Sequence, residues 1–334
     1  MPRKTATKRP APLNIVVLLG GPSAEREVSL ASGNAVADAL EQLGHNVTRC
    51  DPLPADAAAS DAMAAKLAAA RQHLAALTLD GVDIVFNALH GTFGEDGQAQ
   101  ELLDQRGVPY TGSAAAASRV AFSKWETRLA LAAAGVPIAA GHRITADTTT
   151  DEARDLADAL GYPAVVKPDA QGSSIGVTIV QAPEQLPEAI ARSQSLGEAT
   201  LLEQFIPGRE WTVPVWDREP LPGIEVVPAA SFYDYAAKYE TGETTYRVDS
   251  IDDFDLLTTL QALAVRAVEA IGGQGLCRVD FRVNAADEPF VLEVNTSPGM
   301  TGHSLVPKSA ACMGLDLGQL CEQECRLALQ RFQH

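Results

Sequence analysis

The segment CRVDFRV (277–283), NAADEP (284–289), FVLEVN (290–295) and TSPGMTGHS (296–304) decides how the rest of the chain is read. It reads as two strands joined by a turn. Residues two apart in a strand share a face. Arg278, Asp280 and Arg282 therefore point one way, and Val279, Phe281 and Val283 the other. On the return strand Glu293 and Asn295 share a face, opposite Leu292 and Val294. The apolar faces supply a core, and the other face sets Asp, Glu and Asn oxygens side by side. Such hard ligands suit Mg²⁺, which takes one or two carboxylates and completes its shell with phosphate oxygens and water. The alternative is a solvated face with a cross-strand Arg–carboxylate pair. The Gly/Pro/Ser turn 296–304 leads to a helix near Ser304. Its backbone N–H groups suit an anion, unless it is a plain helix-starting turn.

Upstream, VVKPDAQGSSIGV (165–177) is a buried strand ending in Lys167, followed by a loop with Gly172, Ser173, Ser174 and Gly176. Glycine backbone and Ser hydroxyls wrap phosphate oxygens, with Lys167 as a point charge. A tight hairpin loop is the alternative, and the G-x-x-x-x-G-K-[ST] order is absent. In LLEQFIPGREWTV (201–213), a strand end followed by Glu203 and Glu210 suits an adenine edge and ribose hydroxyls, or is a strand with a solvated turn. The first βα turn, LLGGPSAEREVSL (18–30), lies where open α/β sheets bind ligands. It lacks G-x-G-x-x-G, so a dinucleotide is not indicated. Glu25 there either complements a helix dipole or holds an ammonium group. In LHGTFGEDG (89–97), His90 suits acid–base or hydrogen-bonding work, or is a structural turn residue.

The 334 residues carry 26 Lys plus Arg against 43 Asp plus Glu, a formal charge of −17. Such a surface repels phosphate backbones and anionic membranes, so neither nucleic acid nor membrane is an expected partner. A phosphate ligand must be held by local cations and N–H groups. No apolar run reaches the ~20 residues of a membrane helix. The five cysteines are scattered without a CxxC pair, which reads as free thiols in a reducing cytoplasm.

Strand and helix signals alternate along the chain. Strands are expected at about 13–19, 46–50 and 82–89, with helices at 23–43, 61–77 and 97–106. One helix is expected over 115–134, then strands near 138–144, 163–168, 175–180 and 200–205 with helices at 151–160 and 184–194. From Trp211 the text is β-like. A helix over 253–271 shows an apolar stripe of Phe254, Leu257, Leu260, Ala264, Val268 and Ile271. This divides the chain into a disordered tail (1–12), an N-terminal α/β domain (13–115), a central subdomain (116–210) and a C-terminal subdomain (211–334). The last carries a polar, aromatic lid loop over 231–250.

Taken in order, LLGGPSAEREVSL, ALHGTFGEDG, VPYTGS, VVKPDAQGSSIGV, LLEQFIPGREWTV, FYDYAAKY, RVDF and LEVNTSPGMTGHSLVP resemble the D-alanine–D-alanine ligase family of the ATP-grasp superfamily. The resemblance runs from about Asn14 to Phe332. It implies an α/β chain in which an open parallel domain precedes two α+β domains clasping ATP. It implies ligation of two D-alanines through an acyl phosphate, for peptidoglycan precursors, by a cytoplasmic homodimer using ATP and two Mg²⁺ or Mn²⁺ ions. By motif position, Lys124, Lys167, Ser173, Ser174, Glu203, Gln204, Ile206, Glu210 and Lys238 correspond to nucleotide contacts. Asp280, Glu293 and Asn295 correspond to metal ligands. Glu25 corresponds to the holder of the first ammonium, in a network with Ser173 and Tyr239. Arg278 and the Gly299 N–H correspond to oxyanion donors, and His90, Ser304 and Leu305 to the second substrate's site. Gln204 replaces a frequent Lys, the loop after Lys167–Pro168 reads DAQ, VWDREP (215–220) lacks a customary Gly, and TTYRVDSIDD (244–253) replaces a Pro-Ala stretch. Two other readings are an ATP-grasp ligase with a different second substrate and a non-enzymatic sensor with a degenerate ATP site. The intact Lys167, Asp280, Glu293 and Asn295 argue against the sensor.

Overall fold

A continuous apolar run, Asn14–Leu18 (β1), forms the middle of a parallel three-stranded sheet in the order β2-β1-β3, with β2 at Asn46–Cys50 and β3 at Ile84–Asn87. Burial on both faces is what such a run requires. The computed structural model describes residues 11–58, 60, 62–172, 174–197, 199–227, 245–248 and 254–333. The tail 1–10, Ser173, Lys238, Tyr239 and most of the expected lid lie outside the described residues.

Helix α1 (Arg26–Gln42) follows β1, and α2 (Ala55–Ala58), α3 (Met63–Ala76) and α4 (Gln98–Gln105) follow in turn. The single helix expected over 115–134 is two, α5 (Ala115–Phe122) and α6 (Lys124–Ala133). Ser123 is extended between them, and its hydroxyl accepts from the Glu126 N–H as the N-cap of α6. Asp169 secures the break by accepting from Ser123 Oγ (2.9 Å) and the Trp125 N–H (2.8 Å). The break turns Lys124 into the cleft.

The second sheet is antiparallel, in the order β4-β7-β5-β6: Gly141–Ile144, Thr200–Gln204, Ala164–Pro168 and Thr178–Val180. Helices α7 (Thr150–Leu160) and α8 (Leu186–Gln194) cover one face. The third sheet runs β11-β10-β8-β12-β13, with β8 at Arg209–Trp216, β10 at Ile224–Val227, β11 at Thr245–Val248, β12 at Leu276–Val283 and β13 at Pro289–Asn295. The two-residue β9 (Glu219–Pro220) pairs with β8. Residues 245–248, assigned to the lid by sequence, are thus an edge strand paired with β10.

Helix α9 (Phe254–Ala270) packs Leu257, Leu260, Ala264 and Val268 on this third sheet. The stripe holds except at its first position, because Phe254 begins the helix and is 70% exposed. Leu131 and Val136 join the same core from α6 and the turn after it. Helices α10 (Leu305–Cys312) and α11 (Leu317–Arg331) pack on the other side of the molecule. Val306, Leu320 and Cys325 share a core with Ile15, Val17 and Leu40. The C-terminal helices therefore brace the N-terminal sheet against the third one.

Candidate active site

The hairpin expected over 277–295 is observed, and its register sets Asp280 opposite Glu293 and Arg278 opposite Asn295, which alternation alone does not specify. The face was misjudged at one residue. The pairing skips Leu292 beside Asp280 and Phe281, a bulge that sends Val291 and Val294 into the core. Leu292 instead lines a cavity of about 130 Å³. A bulge reorients the residues after it without any mark in composition.

That cavity adjoins a larger one of about 390 Å³, and the two share Lys124, Gln171, Glu210, Asp280 and Glu293. Lys167, Ser174, Glu203, Gln204 and Ile206 line the smaller. Glu25, His90, Arg278, Asn295, Gly299, Ser304 and Leu305 line the larger. Every described residue expected at the site reaches one cavity or the other.

In the smaller cavity Glu203 is buried between two cations, Lys167 Nζ at 2.7 Å and Arg128 Nη1 at 2.8 Å. Arg128 also donates to the Ala139 carbonyl at 2.6 Å. Sequence reading missed Arg128, although it stands one turn beyond Lys124, where i,i+4 residues share a helix face. Arg282 donates to the Ile206 carbonyl at 3.2 Å and faces Glu210 at 3.5 Å. Ser174 adopts a left-handed backbone (φ 59°) within the loop after Lys167.

Lys124 joins the cavities. Its Nζ donates to the Gln171 carbonyl at 2.5 Å and lies 3.8 Å from Glu293 Oε2. Burial lowers its pKa, Lys167 adds to that, and Glu293, Asp169 and Glu203 oppose it. The cations set here work against the −17 of the whole chain, as an anionic ligand requires.

On the larger cavity's floor, Asp280 accepts from Arg278 Nε (2.9 Å) and Nη2 (2.8 Å). The donor set of Asp280, Glu293 and Asn295 is oxygen alone and faces one way. That fits a hard divalent cation completed by water and phosphate. Among the described residues no group of three or more His, Cys, Asp or Glu forms a protein-only metal cage.

At the opposite wall, Glu25 immediately precedes α1. A Cβ added at Gly172 would meet Glu25 Oε2 at 2.6 Å, so the loop backbone closely approaches that carboxylate. His90 is held between Glu95 (Nδ1 to Oε1, 3.1 Å) and Ser32 (Nε2 to Oγ, 3.2 Å). Ser32 also accepts from the Met300 N–H at 3.3 Å, tying His90 to the turn before α10. Glu95 and Ser32 carried no signal of their own in the sequence. Ser304 is the N-cap of α10, but its Oγ accepts from the Thr301 N–H at 3.0 Å and makes no side-chain cap.

Family models described as D-ala D-ala ligase N-terminus and D-ala D-ala ligase C-terminus match residues 14–113 and 130–324. The chain is 42% identical over 324 residues to a D-alanine–D-alanine ligase of Gluconobacter oxydans, covering 96% of this chain and 100% of the relative. It is 40% identical over 307 residues to that of Laribacter hongkongensis, covering 92% and 93%. Among solved structures it resembles D-alanine–D-alanine ligase from Bacillus anthracis with a TM-score of 0.80 at 29% identity, covering 96% and 99%. The TM-score is 0.77 at 27% identity, with the same coverage, for the Bacillus anthracis enzyme complexed with ATP.

Proposed function

The chain belongs to the D-alanine–D-alanine ligase family, and from that premise we propose how its own residues perform the reaction. The protein joins two D-alanines with cleavage of ATP to ADP and phosphate, and its product serves peptidoglycan precursor synthesis. The observation that carries the residue assignment is the convergence of the second and third sheets, the start of α1 and the segment after β3 on two adjoining cavities.

In this reading the smaller cavity takes the nucleoside end of ATP, against Ile206, Leu292 and Glu203. Lys167 and Lys124 meet the phosphates. Asp280, Glu293 and Asn295 hold the divalent cation, which neutralises charge on the phosphoryl oxygens when bound. Glu25 holds the ammonium of the first D-alanine. A carboxylate oxygen of that substrate attacks the γ-phosphorus, the bond to the β–γ bridging oxygen breaks, and ADP leaves an acyl phosphate. The amine of the second D-alanine attacks the acyl carbon, loses its proton, and inorganic phosphate departs. Arg278 and the Gly299 N–H stabilise the tetrahedral oxyanion; losing one such donor typically costs ~3 kcal/mol. The start of α10, at Ser304 and Leu305, receives the second carboxylate, beside His90. The roles that the resemblance implies for Ser173, Lys238 and Tyr239 fall outside the described residues.

The test is product analysis with ATP, Mg²⁺ and single amino or hydroxy acids. One D-alanyl-D-alanine and one phosphate per ATP is the expected result. Phosphate release that needs a different second substrate, such as D-lactate, overturns the assignment.

A further inference from the structure

Thr212 is 1% exposed and lines the larger cavity from β8, the strand beside β12. Its neighbours Trp211 and Val213 lie in the apolar core, so the pleat turns Thr212 toward the site. A buried hydroxyl is costly without a partner. Here the partner is Asp280 Oδ1 at 2.6 Å, on the residue directly opposite in register.

Asp280 also accepts two donors from Arg278, two residues away on its own strand. The Asp carboxylate torsion is soft and roughly two-fold. Arg278 reaches the carboxylate from the same strand through a long, flexible side chain. The hydroxyl on the adjacent strand supplies a second, rigid direction. We propose that Thr212 is a positioning residue for the divalent-cation site: it sets the plane of Asp280, so that this carboxylate serves the cation while Arg278 remains available to the reacting carbonyl. The inference rests on the assignment of Asp280 as a cation ligand.

Groups that orient a metal's carboxylate ligands are typically worth 10–100-fold in affinity or activity. Thr212→Val keeps the shape and removes the donor. Mn²⁺ is titrated into the ADP-saturated protein and followed by loss of its solution paramagnetic signal. Thr212→Val is expected to bind Mn²⁺ roughly tenfold more weakly, and Thr212→Ser to restore most of the affinity. In turnover assays the apparent Mg²⁺ requirement rises while the KM for D-alanine holds. Asp280→Asn is the control. If Asp280→Asn weakens Mn²⁺ binding and Thr212→Val does not, Thr212 has no positioning role. If Thr212→Val lowers thermal stability and leaves Mn²⁺ binding unchanged, the hydroxyl is structural and the proposal is wrong. If even Asp280→Asn binds Mn²⁺ normally, the cation assignment fails and takes this inference with it.

Discussion

Strand β8 carries an arginine–carboxylate cluster at each end, and the two have opposite characters. At the Glu210–Thr212 end, Asp280, Glu293 and Glu210 are half-buried and face a cavity. At the Trp216 end, Glu324 of α11 is 1% exposed. Its Oε2 accepts from Trp216 Nε1 at 2.7 Å, and its Oε1 from the Gly112 N–H and Arg331 Nη2, each at 3.2 Å. Arg331 also donates to Asp217 at 2.7 Å, and Asp217 accepts from the Gly275 N–H at 3.3 Å. A Cβ at Gly275 would meet Glu324 Oε1 at 2.5 Å and the Gly112 Cα at 3.0 Å, so protein atoms pack closely around this carboxylate. Burial pushes the Glu324 carboxyl up, while Arg331 and the two N–H donors pull it down.

This second cluster supports an unusual turn. VWDREP puts Asp217 and Arg218, neither of them glycine, in the left-handed region (φ 47° and 73°). The strain of such a turn, ~1 kcal/mol or more per residue, is offset by the contacts Asp217 makes with Arg331 and Gly275. The same pair chemistry thus opens on a cavity at one end of β8 and is closed by protein donors at the other.

Substitutions break the comparison at either end. The largest effect is expected from Glu293→Gln. Turnover falls by about 10³-fold, equivalent to ~4 kcal/mol of transition-state stabilisation, with the melting temperature nearly unchanged. Near-normal turnover at ordinary Mg²⁺ would remove Glu293 from the cation site. At the other end, Glu324→Ala leaves Arg331 Nη2, the Trp216 indole N–H and the Gly112 N–H without that acceptor, with only Asp217 still on Arg331 Nη1. A loss of ~3 kcal/mol in denaturant unfolding is expected, with kcat per folded molecule preserved. A selective loss of kcat instead would make the brace part of the catalytic machinery.

Arg128→Met tests the boundary between binding and bracing, because Arg128 holds Glu203 from outside the cavity. A charged hydrogen bond of ~1.5 kcal/mol corresponds to a roughly tenfold higher KM for ATP. An unchanged KM with lower stability would place Arg128 on the bracing side. Phe254→Ser, at neither end, sets the baseline, with a stability change within ~0.5 kcal/mol. A larger loss in calorimetry would show that its exposed ring is covered by another surface.

Much of this was legible in the amino-acid sequence because it depends on short-range periodicity. Alternation along 278–295 put Arg278 and Asp280 on one face of the first strand and Glu293 and Asn295 on one face of the second, although their register came only from the fold. The apolar run at 14–18 announced a buried parallel strand, and the ordered motifs identified the family. Three features stayed hidden for physical reasons. The bulge at Leu292 is a backbone event that composition does not encode. The break at Ser123 depends on Asp169, 46 residues away, capturing the groups it exposes. Thr212, Arg128 and Glu324 look like ordinary strand and helix residues until their partners arrive from other elements. The chain's local text determined which oxygens, cations and glycines exist and which face each takes. Tertiary structure alone decided which carboxylates open on a cavity and which are sealed by donors, because burial and hydrogen-bond saturation belong to packed neighbours.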